Sequence, residues 1–510
     1  MATHKSQTPS LGNFALFPHA GCKGDQIDGC LFPKKTRNLP TVNGSLKVSP
    51  GYFNIELASN INVDMTVSNH TSLFRFKFPA TPYDGSPLSP LILMDLTDLS
   101  DSRQNGSISV DATSGKMTGN ATFLPSFGSG SYSLHFCAEF QGAPIRDNGI
   151  FVNDRAGTEP KQLFITRGIN GYPLPGGAFT RFQAPTFNGT ILARVGVSFI
   201  SNDQACQNAA KEIPNWDFEG TKKIAEDAWR KKLSPITITP GAGVGDDIQK
   251  IFWSGVYRTL INPQDYTGEN PLWKSSEPYF DSFYCLWDSF RSQLPFLTVL
   301  DPTSLSRMIR GLLNIYKNGG YLPDCRMSLC KGFTQGGSNA DNVIVDAYLK
   351  NVTGGIDWNL AYKAVVHDAE DEPLDWSNEG RGGLMSWKSL NYIPAEDFDY
   401  VGFGTYTRSV SRTLEYSYND FNIAAMAQRM GKTADAKKYH KRSQSWENLF
   451  KANQTSLGYS GFFQPKYLNQ TWGFQDPALC SNLPNEQNVA CSLQNTGQET
   501  FESSIWEYSL

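Results

Sequence analysis

The run Leu192-Ala193-Arg194-Val195-Gly196-Val197-Ser198-Phe199-Ile200 decides the reading of the fold, because it is the last stretch with strand character before the apolar pattern changes period. Over 218–232 and 246–261 the apolar residues fall instead at helical spacing: Ile224 and Ala228, then Ile248, Ile251, Phe252 and Val256. Pro235 and Pro240 lie in the connection. Upstream, after a loop-like, Gly- and Pro-rich stretch over 12–38, the β-rich runs are 52–57, 73–78, 107–110, 131–137 and 162–166. The turn signals Asn43-Gly44, Asp84-Gly85, Asn105-Gly106 and Asn188-Gly189 separate them, and no convincing amphipathic helix precedes about residue 205. An antiparallel β-sandwich over 1–210 and a helical linker over 211–245 follow. Beyond them, helices are expected near 286–300, 304–317, 340–350, 358–368, 405–430 and 433–451, which reads as paired helices over 246–510.

Composition narrows the class. Hydrophobic residues at 39%, aromatics at 13% and charged residues at 18% are those of a globular enzyme rather than a disordered or coiled-coil chain. The 45 lysines and arginines against 49 acids give a net charge of -4, and with no basic run neither nucleic acid nor an anionic membrane is an expected partner. No uninterrupted apolar stretch is long enough to span a bilayer. Sequons at Asn43, Asn69, Asn105, Asn120, Asn188, Asn351, Asn453 and Asn469 suit a secreted chain. So do the close pairs Cys22/Cys30, Cys325/Cys330 and Cys480/Cys491, any of which can close a loop disulfide. The polar start Met1-Ala2-Thr3-His4-Lys5-Ser6-Gln7 lacks the apolar core of a secretory signal, which leaves a cytoplasmic location as the alternative.

Three loops carry candidate chemistry. In Trp287-Asp288-Ser289-Phe290-Arg291 an aromatic face, a carboxylate and a guanidinium lie within one helical turn, a grouping suited to stacking on a pyranose and bonding its hydroxyls. The same residues equally describe a helix start with an ion pair three residues apart and a buried Trp. The others are Gln335-Gly336-Gly337-Ser338-Asn339-Ala340-Asp341 and Asp375-Trp376-Ser377-Asn378-Glu379-Gly380-Arg381-Gly382-Gly383, whose glycines allow either close backbone approach to a ligand or simple turns. Gly241-Ala242-Gly243-Val244-Gly245-Asp246 lacks the G-x-G-x-x-G spacing, and no P-loop, H-E-x-x-H or C-x-x-C occurs, so nucleotide and zinc-hydrolase chemistry lack their residues. His367 and Asp368, at the end of a predicted helix, read as surface residues.

Taken together, 286–297, Gly319-Gly320-Tyr321-Leu322-Pro323, Gly336 to Asp341, Asp346-Ala347-Tyr348-Leu349-Lys350 and Ser411-Arg412-Thr413-Leu414-Glu415-Tyr416-Ser417-Tyr418-Asn419-Asp420 resemble glycoside hydrolase family 92, the calcium-dependent exo-α-mannosidases, in its fungal-type secreted branch. The resemblance implies a β-sandwich joined to an (α/α)6 barrel over 246–510 that is incomplete at the C-terminus, with an inverting site between the domains. It implies that Trp287, Asp288 and Arg291, with Asp341 and Glu502, bind a terminal mannose, and that calcium assists.

The family's general acid and base are expected beyond Leu510, and the N-terminal start is short too, so this chain is expected to be impaired in catalysis. The implied function is removal of terminal α-linked, α-1,2 mannose from N-glycans or mannoproteins. The alternatives are a carbohydrate-binding remnant without chemistry and an N-glycan amidase, for which a Cys-His-Asp signature is not visible.

Overall fold

The computed structural model describes residues 12–82, 85–97, 100–167, 171–185, 189–334, 336–397, 401–402, 404, 408–480 and 500–501. Its contacts divide the chain into two compact units, one of Met1–Ser126, Gly130–Leu260 and Glu269–Leu272, the other of Phe127–Ser129, Ile261–Gly268 and Trp273–Leu510.

All six β-rich runs lie in strands of the first unit, which holds two antiparallel sheets. The five-stranded sheet runs in the order Ala15–His19, Leu91–Asp95, Gly176–Phe182, Ile145–Val152, Arg155–Gly157. The nine-stranded sheet runs Gln162–Thr166, Arg103–Val110, Met117–Phe123, Tyr132–Gln141, Thr190–Ser198, Thr71–Lys77, Asn62–Val67, Tyr52–Glu56, Lys47–Ser49. Alternation puts Ile61, Val63, Phe76, Ile191 and Ala193 on the inner side of the larger sheet, where Ile92 and Phe182 of the smaller one meet them. The result is the β-sandwich expected from the period-two pattern.

The helix that follows, α1 (Asn202–Glu212), was not foreseen. Ser201 caps it, its hydroxyl accepting from the Gln204 N–H at 3.0 Å. Its buried Ala205 and Ala209 lie on the strand Thr190–Ser198 at Gly196, where an added Cβ would sit 2.1 Å from the Ala205 carbonyl oxygen. A disulfide between Cys137 and Cys206 fastens the helix to the neighbouring strand. Just beyond Gly196, the buried carboxylate of Glu269 accepts from the Ser198 hydroxyl at 2.6 Å, the Phe199 N–H at 2.9 Å and the Asn208 amide at 3.0 Å. Replacing Gly196 with valine is expected to lift α1 from the sheet and lower the unfolding free energy by about 1–3 kcal/mol. Urea titration checks this: the midpoint falls with the slope unchanged.

Helices α2 (Phe218–Leu233) and α3 (Asp246–Thr259) match the expected spans, and both cluster with the sandwich, so the contact boundary falls at Leu260 rather than at the change of composition near 245. The face of α3 that carries Ile248, Ile251 and Phe252 is exposed.

The second unit is helical: α4 (Leu286–Phe290), α5 (Gln293–Leu300), α6 (Pro302–Gly319), α7 (Ala340–Leu349), α8 (Trp358–Glu370), α9 (Leu384–Leu390), α10 (Ser409–Arg429) and α11 (Thr433–Arg442). The single helix expected over 286–300 is two, because a continuous helix would drive the Pro295 ring into the carbonyl of residue 291; the chain breaks at Ser292 (φ -148°, ψ -45°) and Pro295 falls in the first turn of α5. The helix expected over 433–451 ends at Arg442 and gives way to a 3-10 turn, Ser443–Leu449, and a hairpin of Phe450–Ser456 with Tyr459–Phe463. No helix among the described residues is long and apolar enough to cross a membrane.

Candidate functional site

The segment Tyr284–Cys285 is the first strand of a small sheet with Cys325–Met327 and Cys330–Lys331. Cys285 lies opposite Cys325 in that sheet and is disulfide-bonded to it. The close pair Cys325/Cys330 does not form: the tight turn at Ser328 and Leu329 sets Cys330 opposite Met327 and leaves it a buried thiol. Cys22 and Cys30 pair as expected; Cys480 is disulfide-bonded, and Cys491 lies outside the described residues.

The disulfide fixes the start of α4, from which three site residues diverge. Trp287 turns inward, buried to 8% exposure, and its indole N–H donates to Glu415 Oε1 at 3.1 Å. Arg291 reaches back over it, its guanidinium carbon 4.6 Å from the indole centroid, and also donates to Glu415 Oε1. Asp288 points the other way and is exposed; among the described residues no ion pair holds its carboxylate. Partial desolvation raises its carboxyl above the ordinary Asp value, and the Arg291 charge opposes that rise. The segment is thus a helix start with a buried Trp whose face is covered by Arg291, but Arg291 bonds Glu415 on another helix, and Asp288 and the half-exposed Arg291 face outward.

Helix α10 gathers all three loops. Glu415 holds the 287–291 segment and touches the second loop at Gly337, where an added Cβ would lie 2.7 Å from the Glu415 Cβ. One turn on, the Asn419 amide donates to the Ser338 carbonyl and to Asn342 Oδ1, both at 3.0 Å. Tyr416 fastens the third loop, its hydroxyl donating to the Gly382 carbonyl at 3.2 Å and accepting from the Gly382 N–H at 3.1 Å. Just ahead of the second loop, the Thr334 N–H donates to the Ser377 carbonyl of the third at 2.7 Å.

Asp341 lies behind this surface, fully buried, accepting from Arg381 at 2.6 Å. Arg381 also donates to Asp420 of α10 at 2.8 Å, and Asp420 accepts from Arg442, which reaches Glu370 at 3.1 Å. Burial pushes the Asp341 carboxyl up to about 6, with Arg381 pulling it back and Asp420 adding to the rise. Asp368 is buried beside them, not on the surface, and burial with the Asp341 charge raises it well above the usual range. Glu502 lies outside the described residues. Glu415 and Arg381 escape sequence reasoning because their partners are 128 and 40 positions away; the polar residues spaced around 411–420 are the signal that pointed there.

Residues 204–510 match the model of the glycosyl hydrolase family 92 catalytic domain, and residues 1–198 match that of the family's N-terminal domain. The chain belongs to glycosyl hydrolase family 92. A family relative from Arthroderma benhamiae, named an uncharacterized secreted glycosidase, is 51% identical over 508 residues, which cover 98% of this chain and 62% of the relative. Two solved family 92 structures from Bacteroides thetaiotaomicron share the fold. One, an inverting mannosidase, superposes with a TM-score of 0.78 at 20% identity over 97% of this chain and 60% of that one. The other, an α-mannosidase in complex with mannoimidazole, gives 0.75 at 19% identity over 95% and 60%. The chain thus spans about three-fifths of the length of these relatives. Mixed β and α architecture, with an N-terminal sandwich and a helical C-terminal domain, is the family 92 arrangement.

Proposed function

We propose that this family 92 chain binds the terminal α-linked mannose of N-glycans or mannoproteins, as part of a glycosidase that removes it with inversion and prefers α-1,2 linkages. The observation that carries the proposal is the outward pair of Asp288 and Arg291, set on a buried Trp287 and backed by Glu415. A sugar hydroxyl donates to the Asp288 carboxylate and accepts from the guanidinium, and charge-assisted bonds of this kind give orientation as well as affinity. In an inverting glycosidase an acid protonates the leaving oxygen while a base activates water on the opposite face. Neither role is assigned to a described residue.

Calcium enters the proposal through the family alone. Among the described residues no three His, Cys, Asp or Glu side chains are grouped to hold a metal ion. Secretion is part of the same reading. It is supported by the disulfides and by the exposure of Asn43, Asn69, Asn105, Asn351, Asn453 and Asn469, where N-glycans would be accommodated; Asn120 is half-buried and Asn188 lies outside the described residues.

Calorimetry with mannose tests the binding. Asp288→Ala is expected to weaken mannose at least about tenfold, the effect of losing one charge-assisted hydrogen bond. Equal heats from parent and variant would remove Asp288 from the site, and no heat from the parent would overturn the sugar reading. Release of mannose from an α-1,2-linked disaccharide by the parent separates an active glycosidase from a binding protein without chemistry.

A further inference from the structure

Glu415 is buried, yet one of its carboxylate oxygens receives both the Trp287 indole N–H and the Arg291 guanidinium. Asp288, within reach of the same flexible arginine three residues earlier in the chain, is in no ion pair with it. Of these two carboxylates it is the buried one that holds the guanidinium. Low dielectric favours this outcome, since a charge pair gains more there than at the surface, where water screens it. The indole adds a second tie, because the guanidinium lies over its face as well as on the carboxylate it bonds.

We propose that Glu415 is a positioning residue: by holding Arg291 and Trp287 on one oxygen it keeps the guanidinium off Asp288, so that the Asp288 carboxylate stays turned to the sugar. The proposal rests on reading the 287–291 segment as a sugar site. Gly337 of the second loop lies against the Glu415 stem, where an added Cβ would sit 2.7 Å from its Cβ and 3.2 Å from its Cγ.

The two contacts can be separated chemically. In Glu415→Gln the amide oxygen still accepts from the indole, but the ion pair to Arg291 is gone; in Glu415→Ala both are lost. The experiment labels the chain with 5-fluorotryptophan and assigns the Trp287 resonance as the one absent from Trp287→Phe. It then compares that resonance and mannose affinity by calorimetry in parent, Gln and Ala variants. The expected result is a displaced Trp287 resonance in Ala only, restored in Gln, with mannose affinity down about tenfold or more in both. An unmoved resonance in Ala, or mannose affinity within twofold of the parent in Gln, overturns the proposal. If the Ala variant does not fold, the Gln variant decides alone through its affinity. If the parent shows no mannose heat, the sugar reading fails, and the resonance in Ala still decides whether Glu415 positions the tryptophan.

Discussion

Arg381→Met is expected to lower the stability of the helical unit by about 3–5 kcal/mol, the cost of leaving buried carboxylates without their cation. Arg381 is fully buried and bridges Asp341 and Asp420, both also without exposure. Asp420 keeps Arg442, but Asp341 loses the one cation recorded beside it among the described residues. The loss has a pH sign. Asp341 has its folded carboxyl raised above the unfolded value, so folding takes up a proton and this group's contribution falls as pH rises from about 4 towards 6. Without Arg381 the folded value rises further, and a proton at low pH does part of what the arginine did. The variant should therefore be closer to the parent at pH 5 than at pH 8. Urea titrations at both values check the size and the sign; a loss under about 1 kcal/mol at pH 8, or a larger loss at pH 5, would show that Asp341 is not held as a carboxylate by Arg381.

Removing the Cys137–Cys206 disulfide, by Cys137→Ala with Cys206→Ala, is expected to lower the stability of the sandwich unit by about 2–5 kcal/mol. The bond spans a sequence separation of 69, and constraint on the unfolded chain grows slowly with loop length. Removing Cys22–Cys30, separated by only 8, should cost less. Thermal unfolding of the two double variants ranks them; if the short loop proves the costlier to open, the native packing of the Cys22 loop, rather than chain entropy, is what its bond protects. Measuring hydrogen exchange over 202–212 adds a local readout, since α1 should open before the sheet once its tether is gone.

Much of the fold was legible because its signals are local. Strand Thr190–Ser198 is rich in β-branched residues, and the helices at 218–232 and 246–261 repeat every three or four residues. What escaped has a physical reason in each case. Met117–Phe123 carries Gly119 and Asn120, which weaken strand propensity, and is held by pairing on both sides. Gly176–Phe182 is buried along its whole length and so has no alternation to read. Helix α1 is mostly polar; what stabilises it is the contact of its alanines at Gly196 and a disulfide from Cys206.

The site was legible in part. Asp288 and Arg291 stand outward, as charged residues at a helix start do. The burial of Trp287 and of Asp341 depends on Glu415 and Arg381, and nothing local in 284–295 or 335–341 names those partners.

Helix α10 has a consequence for how the unit comes into being. Along its buried faces it carries Glu415, Asn419, Asp420 and Asn422 where a self-sufficient helix would carry leucines. Alone in water such a segment has little to collapse upon. Its partners at 287, 291, 338, 342 and 381 are all made earlier on the ribosome, separated from it by as many as 128 positions. Those segments must wait, with their polar groups unpaired, until α10 emerges and threads among them. Vectorial synthesis therefore delivers the organiser after the parts it organises, and folding of the helical unit should be slow and late, limited by closure of long loops rather than by helix formation.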